Sequence, residues 1–198
     1  INYADKYYEY PIHLACIYGA LELVKYLVEN GADVNCANND GSCPIHFVCN
    51  RDNEALELVK YLVENGADIN CADIHRRRPI HYACIRGDDK SLELVKYLVE
   101  KGADVNYAND FGKCPIHIAC GYGALELVKY FVEKGVDVKC ADKNGNHSIH
   151  ITCMWDKSLE LVKYLVEKGA DVNCANTYGR RPIHYACKDG ALELVKYL

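Results

Sequence analysis

The chain has 198 residues, half of them apolar, with 28 acidic against 23 basic side chains and a formal net charge of −5. That composition excludes a disordered chain, and the lack of any apolar run of about 18 residues excludes a membrane-spanning helix. The acidic balance argues against indiscriminate binding to phosphate backbones.

Residues 1–5, INYAD, read as the tail of a preceding unit, and the start at Ile1 with Met154 as the single methionine reads as a piece cut from a longer protein. From residue 6 one pattern is expected six times, at 6–38, 39–73, 74–109, 110–142, 143–176 and 177–198, the last copy stopping before its GADVN. The marker PIHL returns as PIHF, PIHY, PIHI, SIHI and PIHY. It puts His13, His46, His81, His117, His150 and His184 in register at separations of 33, 35, 36, 33 and 34 residues.

Within a copy, Pro44 is placed to start a short helix, because its missing N–H falls where a helix has no partner to offer. Ile45, Val48 and Cys49 then share an inward face. The second helix carries Leu56, Leu58, Val59, Leu62 and Val63 at spacings of three and four, with Glu57, Lys60 and Glu64 outward and Gly66 as its C-terminal cap. Neither helix has enough apolar surface to stand alone, so the copies must stack as an all-α solenoid of helix-turn-helix units joined by hairpin-like loops. Extra residues fall between the helices, in NRDNEA, IRGDDKS and MWDKS, which marks a loop outside the core.

The stretches GSCPIHFVC and ELVKYLVENGADVN resemble the ankyrin repeat, with its TPLH-type tetrapeptide and GADVN ending, along the whole chain. The resemblance implies that each histidine bonds across a turn and that Cys16, Cys49, Cys84, Cys120, Cys153 and Cys187 stand in for a small alanine between helices. It also exposes departures. The tetrapeptide threonine is replaced by Tyr10, Cys43, Arg78, Cys114, His147 and Arg181, removing a hydroxyl that would order the turn. The turn glycine of Gly41, Gly112, Gly145 and Gly179 is Tyr8 and Arg76 in two copies, which must then adopt positive φ or another turn. Ser148 replaces the helix-starting proline, and Val136 and Lys139 depart from GADVN.

Twelve cysteines would suggest disulfides in a small secreted domain, but here they follow the repeat period, so reduced thiols in the cytoplasm or nucleus are expected. A histidine with a cysteine three residues on could be a metal pair or a thiolate beside its base. A metal centre needs about four converging ligands, and one helical turn supplies only His13 and Cys16. Equivalent positions on stacked helices lie roughly 8–10 Å apart, too far for a shared zinc. Cys36, Cys71, Cys140 and Cys174 occupy a place that Tyr107 fills in one copy. Cys43 and Cys114 lie in the hairpins and are expected to be the most exposed thiols, hence the candidates for redox sensing. There is no phosphate loop, GxSxG or HExxH. No catalytic residue, metal or cofactor is expected, and the chain is not read as an enzyme.

Function then falls to the positions that vary between copies: hairpin tips and the end of the first helix, which by the resemblance line a concave groove. The partner-binding candidates are Tyr7, Tyr18, Arg51, His75, Arg77, Ile85, Arg86, Phe111, Lys113, Tyr122, Met154, Trp155, Tyr178 and Arg180. All seven arginines fall in hairpins or at first-helix ends, and Arg, Trp and Tyr dominate interface hot spots. The expectation is a monomeric scaffold binding another protein that bears acidic and apolar groups, with no membrane. Nucleic-acid binding through HRRR and GRR ranks below it. So does asparaginyl hydroxylation at Asn35, Asn70, Asn106 and Asn173, which the family resemblance suggests.

Overall fold

Proline at the first helical position and a histidine two residues on set the start of nearly every short helix. In a computed structural model describing residues 1–51 and 55–198, the helices are α1 (Pro11–Tyr18), α2 (Leu21–Glu29), α3 (Pro44–Cys49), α4 (Ala55–Glu64), α5 (Pro79–Ala83), α6 (Asp89–Glu100), α7 (Pro115–Gly121), α8 (Leu125–Glu133), α9 (Ser148–Met154), α10 (Leu159–Glu167), α11 (Pro182–Lys188) and α12 (Leu192–Tyr197). Among the described residues there is no strand, only an isolated bridge between Ala141 and His147. The insertion NRDNEA includes residues 52–54, which lie outside the described residues.

Each first helix is capped by its own histidine. His46 Nδ1 accepts the Cys43 N–H at 3.0 Å, as His13, His117 and His150 do for Tyr10, Cys114 and His147. This is half of a capping box, with imidazole in the place of Glu or Gln. The ring's other nitrogen, Nε2, faces a carbonyl of the next linker: Cys36 O, Arg77 O, Cys140 O or Arg180 O at 3.0 to 3.2 Å. With Nδ1 accepting, Nε2 must carry the proton and donate. Burial pushes the His13 and His150 pKa values down, against the opposing pull of the carbonyls at Cys36 and Arg180.

The second helices bury a narrower stripe than the spacing implies. Leu58, Val59 and Leu62 are enclosed, but Leu56 and Val63 are only half-buried. Enclosing a leucine such as Leu62 contributes about 2 kcal/mol. Gly66 ends α4 at a φ of 89°, and α6 starts from Asp88, whose Oδ1 accepts the Ser91 N–H and hydroxyl.

Contacts gather the chain into two compact units. The first comprises Ile1–Ala83 and Glu93–Asp104; there α1 packs on α2 and α3, and α3 on α4 and α5. The second comprises Cys84–Leu92 and Val105–Leu198; there α7 packs on α8 and α9, α9 on α10 and α11, and α11 on α12. Both are all-α stacks of helix pairs, the solenoid architecture that the period demands.

The turns before the first helices share one device. Six residues ahead of each helix start stands an Asp or Asn, namely Asp5, Asn38, Asp73, Asn109, Asp142 and Asn176. Its Oδ1 accepts the N–H groups two and four residues on, at 2.7 to 3.0 Å. These Asx turns and the histidine cap hold the loop without the missing threonine hydroxyl. Tyr8 and Arg76 do adopt positive φ, at 59° and 58°. So does Lys157, at 62°, in the MWDKS insertion.

Candidate partner-binding surface

The Asx turns aim the variable tips, and in the second unit seven of the fourteen expected residues gather around two adjoining hollows. Phe111, Lys113, Met154, Trp155, Tyr178 and Arg180 line one recess of about 600 Å³. Next to it, Lys113, Tyr122 and Trp155 edge a smaller hollow of about 350 Å³, floored by Ile118 and Ile151. Trp155 follows α9 directly and is 63% exposed, a large apolar surface left in water. Phe111, Tyr122 and Tyr178 are exposed as well.

The charge lining the larger recess is unequal. Lys157 pairs with Asp189 at 3.4 Å, and Asp142 is buried, accepting two backbone N–H groups and the Asn146 amide. Arg180 lies with its guanidinium 6.0 Å from the Tyr185 ring centroid. Among the described residues, neither it nor Lys188 has a carboxylate within ion-pair distance. Lys188 and Asp189 stand at the end of a first helix, one of the places that vary between copies, whereas Lys157 lies in an insertion that breaks register with the other copies and so gave no sequence signal.

The remaining expected residues are placed differently. Arg86, in the second unit, forks onto Asp88 Oδ2 through Nε at 3.2 Å and NH2 at 2.9 Å, and Ile85 beside it is half-buried. In the first unit, Arg77 Nε donates to the buried Asp73 Oδ2 at 2.7 Å, and its guanidinium lies over Tyr82, whose hydroxyl bonds the same oxygen. Burial works against the Asp73 charge, but bonds from Tyr82 and Arg77 outweigh it and hold the carboxyl below its usual range. Arg51 donates to the Ile17 carbonyl and covers Gly19. Arg51 and Arg77 thus each make a contact within the chain. Tyr7, under the Lys6 ammonium, and His75 are exposed; Tyr18 edges a separate hollow with Tyr3, Leu14 and Leu23.

A family model described as ankyrin repeats (3 copies) matches residues 1–73, 47–142, 80–176 and 116–198, so that its matches together run the length of the chain. The chain belongs to the ankyrin-repeat family. A fission-yeast (Schizosaccharomyces pombe) ankyrin repeat-containing protein is 46% identical over 50 residues, 25% of this chain and 24% of that protein. Human BCL-6 corepressor-like protein 1 is 36% identical over 53 residues, 27% of this chain and 3% of that protein. The chain thus covers about a quarter of the yeast relative and a sliver of the human one. Ankyrin repeats bind other proteins, typically as non-enzymatic scaffolds. Among the described residues no helix is long and apolar enough to cross a membrane.

Within the ankyrin frame, the asparagine of GADVN is a clamp between copies, reaching beyond its own turn. Asn35 donates to Gly66 O at 2.8 Å and accepts the Asp68 N–H at 2.7 Å. Asn70 likewise donates to Gly102 O at 2.9 Å. The thiols also differ from expectation. Cys187, expected to be buried, is the exposed one; Cys43, expected to be exposed, is buried; Cys114 is intermediate. Cys43 donates to the Asn35 carbonyl at 3.6 Å and Cys114 to the Asn106 carbonyl at 3.3 Å, each with a second thiol close by, Cys71 or Cys140. The neighbouring Cys43 and Cys114 sulfurs, with burial adding to their effect, push the Cys71 and Cys140 thiols up.

Proposed function

We propose that this ankyrin-repeat chain is a protein-interaction scaffold and that the recess around Trp155 in its second unit takes a partner segment carrying an acidic group beside an apolar one. The observation that carries the reading is Trp155, 63% exposed and sharing its recess with Phe111, Tyr178 and Arg180. Rigid aromatic surface gives contact area at small entropic cost, and a guanidinium without a carboxylate partner favours an acidic group.

Peptides selected from a random displayed library against the reduced chain test this. The expected set is enriched in Asp or Glu next to Leu, Phe or Trp. Trp155→Ala with Arg180→Ala is expected to weaken the selected peptides at least tenfold, about 1.4 kcal/mol, and to leave the melting temperature nearly unchanged, since both side chains are exposed. Equal binding by the double variant would move the partner surface elsewhere.

A further inference from the structure

Two clusters of Cys and His stand apart from the recess: Cys43, His46 and Cys71 in the first unit, and Cys114, His117 and Cys140 in the second. Within each, one donor atom per residue lies within 4.8 Å of the others. Both arise from the same coincidence of register. A cysteine at the cap of the first helix meets the cysteine that follows Asp-Val-Asn or its equivalent, across the face of the capping histidine.

The other copies lack one partner or both. Cys36 and Cys174 lie 3.7 to 3.9 Å from nitrogens of His13 and His150, but their cap residues are Tyr10 and His147. In the third copy the two places hold Arg78 and Tyr107.

The imidazole is not a free ligand. His117 Nδ1 is occupied by the Cys114 N–H at 3.0 Å and Nε2 by Cys140 O at 3.1 Å, with the same two kinds of bond at His46. An ion bound through nitrogen would have to break the helix cap or the bond to the linker. No carboxylate belongs to either cluster. Each therefore offers two sulfurs, too few for tetrahedral zinc but suited to a soft cation content with two thiolates. With metal–sulfur bonds of about 2.3 Å, two sulfurs on one ion stand less than about 4.6 Å apart, within the observed spread.

We propose that Cys43 with Cys71, and Cys114 with Cys140, are two binding sites for a soft monovalent cation of the copper(I) class, held between the paired sulfurs. On binding, two sulfur–hydrogen bonds give way to two sulfur–metal bonds and two protons leave to water; the metal's oxidation state does not change. The histidine keeps its caps and positions the cysteines without ligating.

The test uses the full reduced chain with Cys187→Ser, which removes the exposed lone thiol. Copper(I) is supplied without oxygen as its coloured bicinchoninate complex, with ascorbate. The chain is expected to withdraw two ions, one for each cluster, releasing two protons per ion. Cys43→Ser is expected to leave one ion and Cys43→Ser with Cys114→Ser none, with Cys71→Ser and Cys140→Ser repeating the pattern should the cap variants fold poorly. Cys36→Ser and Cys174→Ser are expected to keep both ions. Zinc in equal amount is expected to displace neither. No withdrawal of copper, the same loss from Cys36→Ser as from Cys43→Ser, or displacement by zinc would each overturn the assignment.

Discussion

At the scale of single residues, the turn position that favours glycine is not equally demanding in every copy. Tyr8 and Arg76 hold φ near 59° and 58° there, at a cost of about 1–2 kcal/mol each. Gly112 and Gly179 share the same backbone, at φ of 73° and 71°, but differ in their surroundings. A Cβ on Gly112 would stand 2.6 Å from Lys143 N, whereas one on Gly179 meets nothing within 4 Å. Gly179→Ala is therefore expected to cost about 1 kcal/mol, the left-handed backbone alone, and Gly112→Ala at least about 2 kcal/mol, since backbone must also shift. Denaturant unfolding of both variants checks this; equal losses would mean that the following turn does not press on Gly112. The need for positive φ at Tyr8 and Arg76 was readable from their register with the glycines. At Lys157 it was not, because one extra residue in MWDKS shifts it out of register. The arginines show the other limit. Their bias toward the hairpins is plain in the sequence, but the fork of Arg86 onto Asp88 and the pairing of Arg77 with the buried Asp73 depend on distances that a repeat pattern does not encode.

At the scale of the helix, the repeating histidine ties structure to pH. His13 and His150 are buried, which lowers their pKa from the ordinary value of 6.5. The folded chain keeps them neutral while the unfolded chain takes up protons below that value. Their contribution is thus complete above about pH 6.5 and is lost as pH falls through that value toward the lowered one. Protonation would also place a donor at Nδ1, against the N–H it must accept. Burial is the leading cause for His150, with Arg180 O and Cys174 favouring the proton, His147 opposing it and Asp142 favouring it. Stability measured by denaturant is expected to be flat from about pH 8 to 7 and to fall below about pH 6.5. His150→Gln should keep an acceptor for the cap and flatten part of that fall, while His150→Ala should cost about 2 kcal/mol for the bonds left open. A fall of the same depth in His150→Gln would assign the dependence to other groups. The helices were legible because propensity, proline and apolar spacing agree in several copies. The Asx turns before the first helix of each pair, though also periodic, were overlooked; Asp or Asn six residues before every first-helix start was the signal that could have found them.

At the scale of the whole chain, the choice between a protein partner and a nucleic acid turns on how much positive charge is uncommitted. HRRR and GRR look like a phosphate-binding surface when only sequence is counted. In the structure Arg77 pairs with Asp73, Arg78 lies 3.8 Å from Asp104, Arg86 pairs with Asp88, and Arg51 donates to the Ile17 carbonyl. The three carboxylates offset charge that a phosphate would need, and the Ile17 carbonyl occupies Arg51 donors without cancelling its charge, inside a chain whose net charge is already −5. Proteins that hold duplex DNA electrostatically make about 6–10 phosphate contacts and lose about 10³–10⁵ in affinity between 50 and 200 mM salt. That leaves few arginines at the hairpins for phosphate, since most lysines lie in or just after the second helices instead. Generic duplex DNA is therefore expected to bind more weakly than about 10⁻⁴ M even at about 50 mM salt, as fluorescence anisotropy of a labelled duplex would measure. Micromolar binding with a steep salt slope would reverse the ranking, because it would require those intramolecular pairs to open in favour of phosphate. Weak binding is the outcome expected if Arg180 serves the partner recess proposed beside Trp155, where one guanidinium facing one carboxylate over aromatic surface gains more than it would from a phosphate in open water.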